Sequence, residues 1–284
     1  MDNNTTELIL YTINTLLDSL FSSIDNAIYP ILDKLLFIDT SILKTSNLEK
    51  IITGILLIAN SLILGVILYY AIKYFLSRFT GTEVEPPHSF LFKIILYAII
   101  MNASFFICEQ IISLISIISL SIKELGESIF NETISFTTLI NIINSKIYIS
   151  DSSFSLFSLD GILKSFVSIG IFNLLLSYSL RYVMIKAFIL ICPFAILTLS
   201  NKSTSWFFNT WLRMFLSLLF LQLLVAIIMI IPYSIKEVDI FNKIVLIGCI
   251  YALIKANDFV REFMGGLSTN IQTGLSFMNN MFRR

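Results

Sequence analysis

Three polar side chains interrupt otherwise apolar runs: Glu109, Asn173 and Gln222. A carboxylate inside hydrocarbon is costly, so it is a functional candidate wherever it occurs. A carboxamide there seeks a partner on a neighbouring helix. These three residues are the candidates for pore-lining or inter-helix polar contacts. For Glu109 the spacing also allows a second reading, a carboxylate at the end of a span. Catalytic chemistry finds less support. The chain has one histidine, His88, in the connector 81–90 after Pro86 and Pro87, where it reads as a loop residue. No Ser/His/Asp set can be built on it, and HExxH, GxxxxGK[ST] and GxGxxG are all missing. Cys108, Cys192 and Cys249 each lie in an apolar run without metal-ligand spacing, and an odd count does not suggest a disulfide framework. They read as small buried thiols. No catalytic, metal-binding or cofactor-binding residue is expected, and the chain is not expected to be an enzyme. Energy for any transport must come from another subunit or a gradient.

The elements that position these residues follow from composition. Of the 284 residues, 56% are hydrophobic and 13% charged, where a soluble domain carries about 25% charged residues. With a mean hydropathy of +0.87, the chain could not cover a water-facing surface. It reads as an all-α integral membrane protein. The 19 basic and 19 acidic residues cancel, which leaves no basic surplus for binding nucleic acid. The start MDNNTTE lacks the basic opening of a secretory signal, so an internal span is expected to direct insertion. Isoleucine is heavily over-represented against ordinary usage, a hint of an AT-rich bacterial genome.

Periodicity predicts an amphipathic N-terminal segment, 1–50, placed outside. Its apolar stripe runs through Ile9, Ile13, Leu16, Leu20, Ile24, Ile28, Ile31 and Leu35, and Pro30 bends it. Such a stripe suits an interface, a partner subunit or a packed core. The region 51–122 holds two spans. The first is the uncharged run 51–72. The second lies in 90–122, too long for one crossing; if Lys93 marks one interface, Glu109 falls near the other. An acidic external loop with short helices fills 123–160. The core 161–235 then supplies three spans: 161–180, 182–199 and 214–235. One long bent helix over 162–199 is the alternative to a hairpin there, since neither Gly nor Pro marks a turn. In the last region, 236–284, the segment 240–254 is short for a crossing, so it is re-entrant, interfacial or a sixth span. An amphipathic tail follows. Five spans is the preferred count.

Lysine and arginine near the spans set orientation. Lys73, Arg78 and Lys93 place the 73–93 connector in the cytoplasm, giving a multi-pass protein with its N-terminus outside and C-terminus inside. On this reading Arg181 and Lys186 anchor a cytoplasmic turn, Pro193 kinks the following helix, and Trp206 and Trp211 sit at the opposite interface. Lys202 and Arg213, in the same outer connector, run against that assignment.

The stretch RYVMIKAFILICPFAILTLSNKSTSWFFNTWLRMF (181–215) sets a cation-flanked, proline-containing apolar helix before a short polar connector and a tryptophan-containing run that continues to 228. This order resembles the core of the TrbL family, polytopic inner-membrane subunits of VirB-type, conjugative type IV secretion systems. The match covers roughly 160–235. The long Gly- and Ser-rich C-terminal extension of many larger members is missing. The resemblance implies a channel and assembly subunit in the bacterial cytoplasmic membrane that helps move DNA or protein across it. It also implies a homo-oligomer, other secretion-system membrane subunits and a transfer ATPase as partners, with the transported DNA or protein bound only transiently. Trp206 and Trp211 match the family's aromatic position, and Arg213 and Gln222 lie in the helix that follows. The alternative function is a small-molecule or peptide exporter or permease subunit.

Overall fold

The computed structural model describes residues 12, 15, 16, 19, 28–44, 46–81, 86–147, 159–201, 203–235 and 239–264. Helix α1 is helical over 28–36. It leads through a 3-10 turn at Thr40–Leu43 into α2, Ser46–Thr80. The remaining helices are α3 (Pro87–Asn102), α4 (Ser104–Phe130), α5 (Phe136–Ile147), α6 (Leu159–Leu197), α7 (Ser205–Ile230) and α8 (Ile240–Met264). Five of the helical segments are long and apolar enough to cross a membrane. The protein is an all-α, multi-pass membrane protein.

Its breaks lie where local chemistry puts them. Gly81, at φ +65°, closes α2 by returning its N–H to the Ser77 carbonyl, a left-handed cap that glycine reaches without a Cβ penalty. Pro87 opens α3 at a position where a helix needs no N–H. Asn131, at φ +54°, ends α4. The side chain of Glu127 then accepts the Ile134 N–H at 2.9 Å and steers the chain into α5. Pro232 turns the end of α7 into a 3-10 turn.

The span count agrees with the sequence reading, but the spans are not the same five. No hairpin divides 161–199: α6 is one helix of 39 residues that continues through Pro193. The separate fourth span expected at 182–199 is therefore corrected to the second half of a single crossing. The 240–254 segment becomes a full candidate span, Ile240–Val260. Lys255, which ended the apolar run on paper, pairs with Asp258 at 3.2 Å inside the helix instead of stopping it. The long block 90–122 bends at Ala103, whose N–H still bonds to the Ile99 carbonyl. Glu109 thus lies in the second turn of α4 and not at the far end of a span from Lys93. Within the N-terminal segment, 28–36 packs into the core, with Ile28, Tyr29, Leu32 and Leu36 buried, while Leu16 and Ile31 of the predicted stripe are exposed. Ile9, Ile13, Leu20 and Ile24 of that stripe, and the tail from 265, lie outside the described residues.

The buried side chains form two apolar clusters. One gathers α1, α5, the first half of α6 (Val167 to Tyr178), the second half of α7 with the turn after it (Leu221 to Tyr233) and α8. The other gathers Ile38 to Leu48, α4, the second half of α6 (Ile185 to Leu197) and the first half of α7 (Trp211 to Leu219). Helices α6 and α7 run through both. By contrast α2 has only 6% of its most apolar window buried. It is held to α3 by a mutual amide pair, Asn60 to Asn102 at 3.1 Å in each direction, and by Tyr70 stacked on Phe90 at 3.6 Å.

Candidate functional site: a buried arginine between two cores

The residues between the two clusters are polar. On α6, Arg181 stands halfway between Ser165 and Leu197, the ends of the apolar part of that helix, and its side chain is fully buried. A cation at that depth is tolerated when it faces the bundle interior and finds carbonyl acceptors. Arg181 has two. Its Nε donates to the Leu218 carbonyl of α7 at 2.9 Å, and its Nη1 donates to the Leu36 carbonyl at 3.2 Å. Leu36 is the last helical residue of α1, so its carbonyl lacks a helical partner and carries part of the helix's negative pole. The Tyr178 ring lies one turn earlier, 5.7 Å from the guanidinium carbon, and Tyr178 donates its hydroxyl to the Leu253 carbonyl of α8 at 3.1 Å.

Gln222 completes the arrangement. One helical turn beyond Leu218, it is buried and accepts the Ile38 N–H at 3.1 Å. The chain just past α1 is thus held at both ends of its polarity: a carbonyl taken by Arg181, an N–H taken by Gln222. Leaving either group bare in the interior would cost about 1–3 kcal/mol. Among the described residues no carboxylate pairs with Arg181. Its Nη2, and the hydroxyl of Ser177 one turn away, are buried without a hydrogen-bond partner.

The candidates from the sequence distribute as follows. Gln222 belongs to this seam, whereas Glu109 is half-buried on α4 beside Cys108 of the second cluster. Asn173 is half-buried on α6 among the residues of the first. The structure does not bring the three together. Arg181 is corrected from interface anchor to central lock, because the expected turn beside it does not exist. Lys186 lies on the continuous part of α6, 4.7 Å from the Tyr182 ring, and not in a turn. Trp211 is likewise corrected from interface anchor to core residue. It is buried, stacks on Phe215 at 5.4 Å and donates its indole N–H to the Phe188 carbonyl at 2.9 Å. That carbonyl precedes Ile189, whose own acceptor Pro193 leaves without its helical donor, so Trp211 staples α7 to the loosened turn of α6. Only Trp206 keeps an exposed ring, 63% accessible at the start of α7. His88 is exposed in the first turn of α3, and the three cysteines are free and buried.

Chemically, a guanidinium held by carbonyls offers donors and no acceptor. The seam binds α1, α6, α7 and α8 together. Among the described residues no group of His, Cys, Asp and Glu is placed to hold a metal ion. The roles of Tyr178, Leu36 and Ile38 were not visible in the sequence; the one available signal was the lack of any turn residue around Arg181. No family model matches the chain, and no curated protein matches it. Its class therefore follows from the helices themselves: an all-α, multi-pass membrane protein organised around a buried arginine.

Proposed function

We propose that the chain is a channel and assembly subunit of a conjugative, TrbL-like type IV secretion system in the bacterial cytoplasmic membrane. The observation that carries this reading is where the resemblance falls. The stretch 181–228 makes up the second half of α6 and nearly all of α7, the two helices that run through both cores. The residues in the family-like order are thus the ones the rest of the molecule is built on. Polar side chains inside the bundle are dispersed and sealed, which fits a subunit whose conduction path runs between copies or partners. The exposed apolar faces of α2 and α3 are available for such contacts.

Orientation follows from charge. Lys73 and Lys93 lie at the end of the bundle where α6 gives way to α7, with Arg78 and Arg213 on the same side, and the opposite end carries Lys34, Lys50 and Lys123 beside Asp33, Glu127 and Glu132. Four cations against three favour the first end as the cytoplasmic one, which has the N-terminus outside and the C-terminus inside. Arg213, which opposed the orientation read from sequence, now falls on α7 near the basic end.

Deleting the gene tests the function. Transfer of the mobile element is expected to be abolished with growth unaffected, and the tagged protein is expected to co-purify with a transfer ATPase as an oligomer. Normal transfer in the deletion strain would sink the proposal. A cleft of about 780 Å³ between α2, α3 and the end of α6 favours the exporter as the second reading, for which loss of small-molecule export with intact transfer is the expected signature.

A further inference from the structure

The seam around Arg181 leaves two donors over. Nη2 of Arg181 and Oγ of Ser177 are buried without a hydrogen-bond partner, while Nε, Nη1, the Tyr178 hydroxyl and the Gln222 oxygen beside them all have one. The two orphans belong to one place. Ser177 and Arg181 are four residues apart on α6 and share a face. A long helical side chain leans toward the start of its own helix. The Tyr178 ring, 5.7 Å from the guanidinium carbon, shows Arg181 folded back over the turn that carries Ser177.

Charge decides what kind of group suits them. An arginine keeps its proton in proteins, and the acceptors of its Nε and Nη1 are neutral carbonyls. The negative pole of α1 at Leu36 amounts to at most about half an elementary charge. A water would complete the hydrogen bonds but leave the rest of the charge uncompensated at mid-depth, where that costs most. An anion supplies both the acceptor and the charge.

Geometry narrows the anion. Carboxylates and phosphates grip a guanidinium through two parallel N–H bonds. Nη2 belongs to two such forks, one with Nε and one with Nη1, and both of those nitrogens already hold carbonyls. What remains is Nη2 and one hydroxyl, a pair that suits a spherical acceptor with no directional demand. Both atoms are sealed from solvent, so the acceptor is also small. We propose that Nη2 of Arg181 and Oγ of Ser177 hold a single halide ion, chloride in the cell, as the counter-ion of the buried guanidinium. The site is independent of what the chain transports.

The test is thermal unfolding of the full-length protein in a non-ionic detergent, with chloride replacing gluconate at constant ionic strength. An ion that binds only the folded chain stabilises it by mass action. The melting temperature is expected to rise with the logarithm of chloride concentration, by about 3 °C at ten times the dissociation constant. Ser177→Ala removes one of the two donors and no hydrogen bond within the protein. It is expected to raise the chloride needed for the same rise about tenfold, whereas a merely structural hydroxyl would leave the chloride dependence where it was. Arg181→Met is expected to abolish the dependence. Bromide is expected to replace chloride, and crystals grown in bromide to show one anomalous peak between the two side chains. Should Arg181→Met fail to fold, Ser177→Ala and the bromide peak decide. A chloride dependence unchanged in Ser177→Ala, or bromide crystals without that peak, would overturn the proposal. A melting temperature independent of chloride would overturn it in favour of water alone at the two donors.

Discussion

Arg181 and the Lys73–Lys93 pair are both cationic, and both border apolar runs, yet the fold uses them in opposite ways. Arg181 is sealed at the centre of the bundle and spends its donors on backbone carbonyls of α1 and α7. The lysines line an open cleft at one end. The difference teaches that a cation in a membrane chain is placed by the acceptors within its reach. Where a helix ends inside the bundle, as α1 does at Leu36, its bare carbonyl makes a central arginine tolerable. Where the chain leaves the bundle, as near Lys73, the charge goes to the interface.

The largest effect is expected from removing the sealed cation. Arg181→Ala strands the Leu36 carbonyl and opens a cavity, and should lower unfolding stability in detergent by about 3–5 kcal/mol. Arg181→Met, which keeps most of the volume but also strands the Leu36 carbonyl, should cost about 1–3 kcal/mol. Equal losses from both would show that the guanidinium's hydrogen bonds, and not its packing, hold the seam. Next in size, Gln222→Leu leaves the Ile38 N–H without its acceptor and should cost about 2 kcal/mol by the same measurement. The two tryptophans sharpen the contrast at the smallest scale. Trp211→Phe loses the bond to Phe188 and should cost about 1 kcal/mol, whereas Trp206→Phe, with its ring already exposed, should leave the melting temperature unchanged.

Much of this fold was legible in the sequence. Long uncharged runs such as 51–72 and 214–235 can only be membrane helices, and prolines and glycines marked the ends of α2, the start of α3 and the end of α7. The candidate site was much less legible, for a physical reason. The acceptor that lets Arg181 sit at mid-depth is a carbonyl 145 residues away, and no local pattern announces it. Read alone, an arginine between two apolar runs is cheapest at an interface, so a turn was inferred where none exists. Trp211 was misplaced in the same way, since its indole partner Phe188 lies on another helix. Pro193 shows the converse: a residue that breaks helices in water is carried inside α6, where the surrounding helices support the loosened turn. Gln222 was read as a pore or inter-helix contact, and the partner it meets is the Ile38 N–H in the chain just past α1.

The central claim is that α6 crosses once, with Arg181 at its middle. Side-specific labelling of single cysteines tests it directly. Thr80→Cys, Ser203→Cys and Glu132→Cys each place a thiol on an exposed position, and the three native cysteines are buried. With a membrane-impermeant maleimide on sealed vesicles of known orientation, Ser203→Cys should label from the same side as Thr80→Cys and from the side opposite Glu132→Cys. Labelling of Ser203→Cys together with Glu132→Cys would mean a hairpin at Arg181 and would contradict the account.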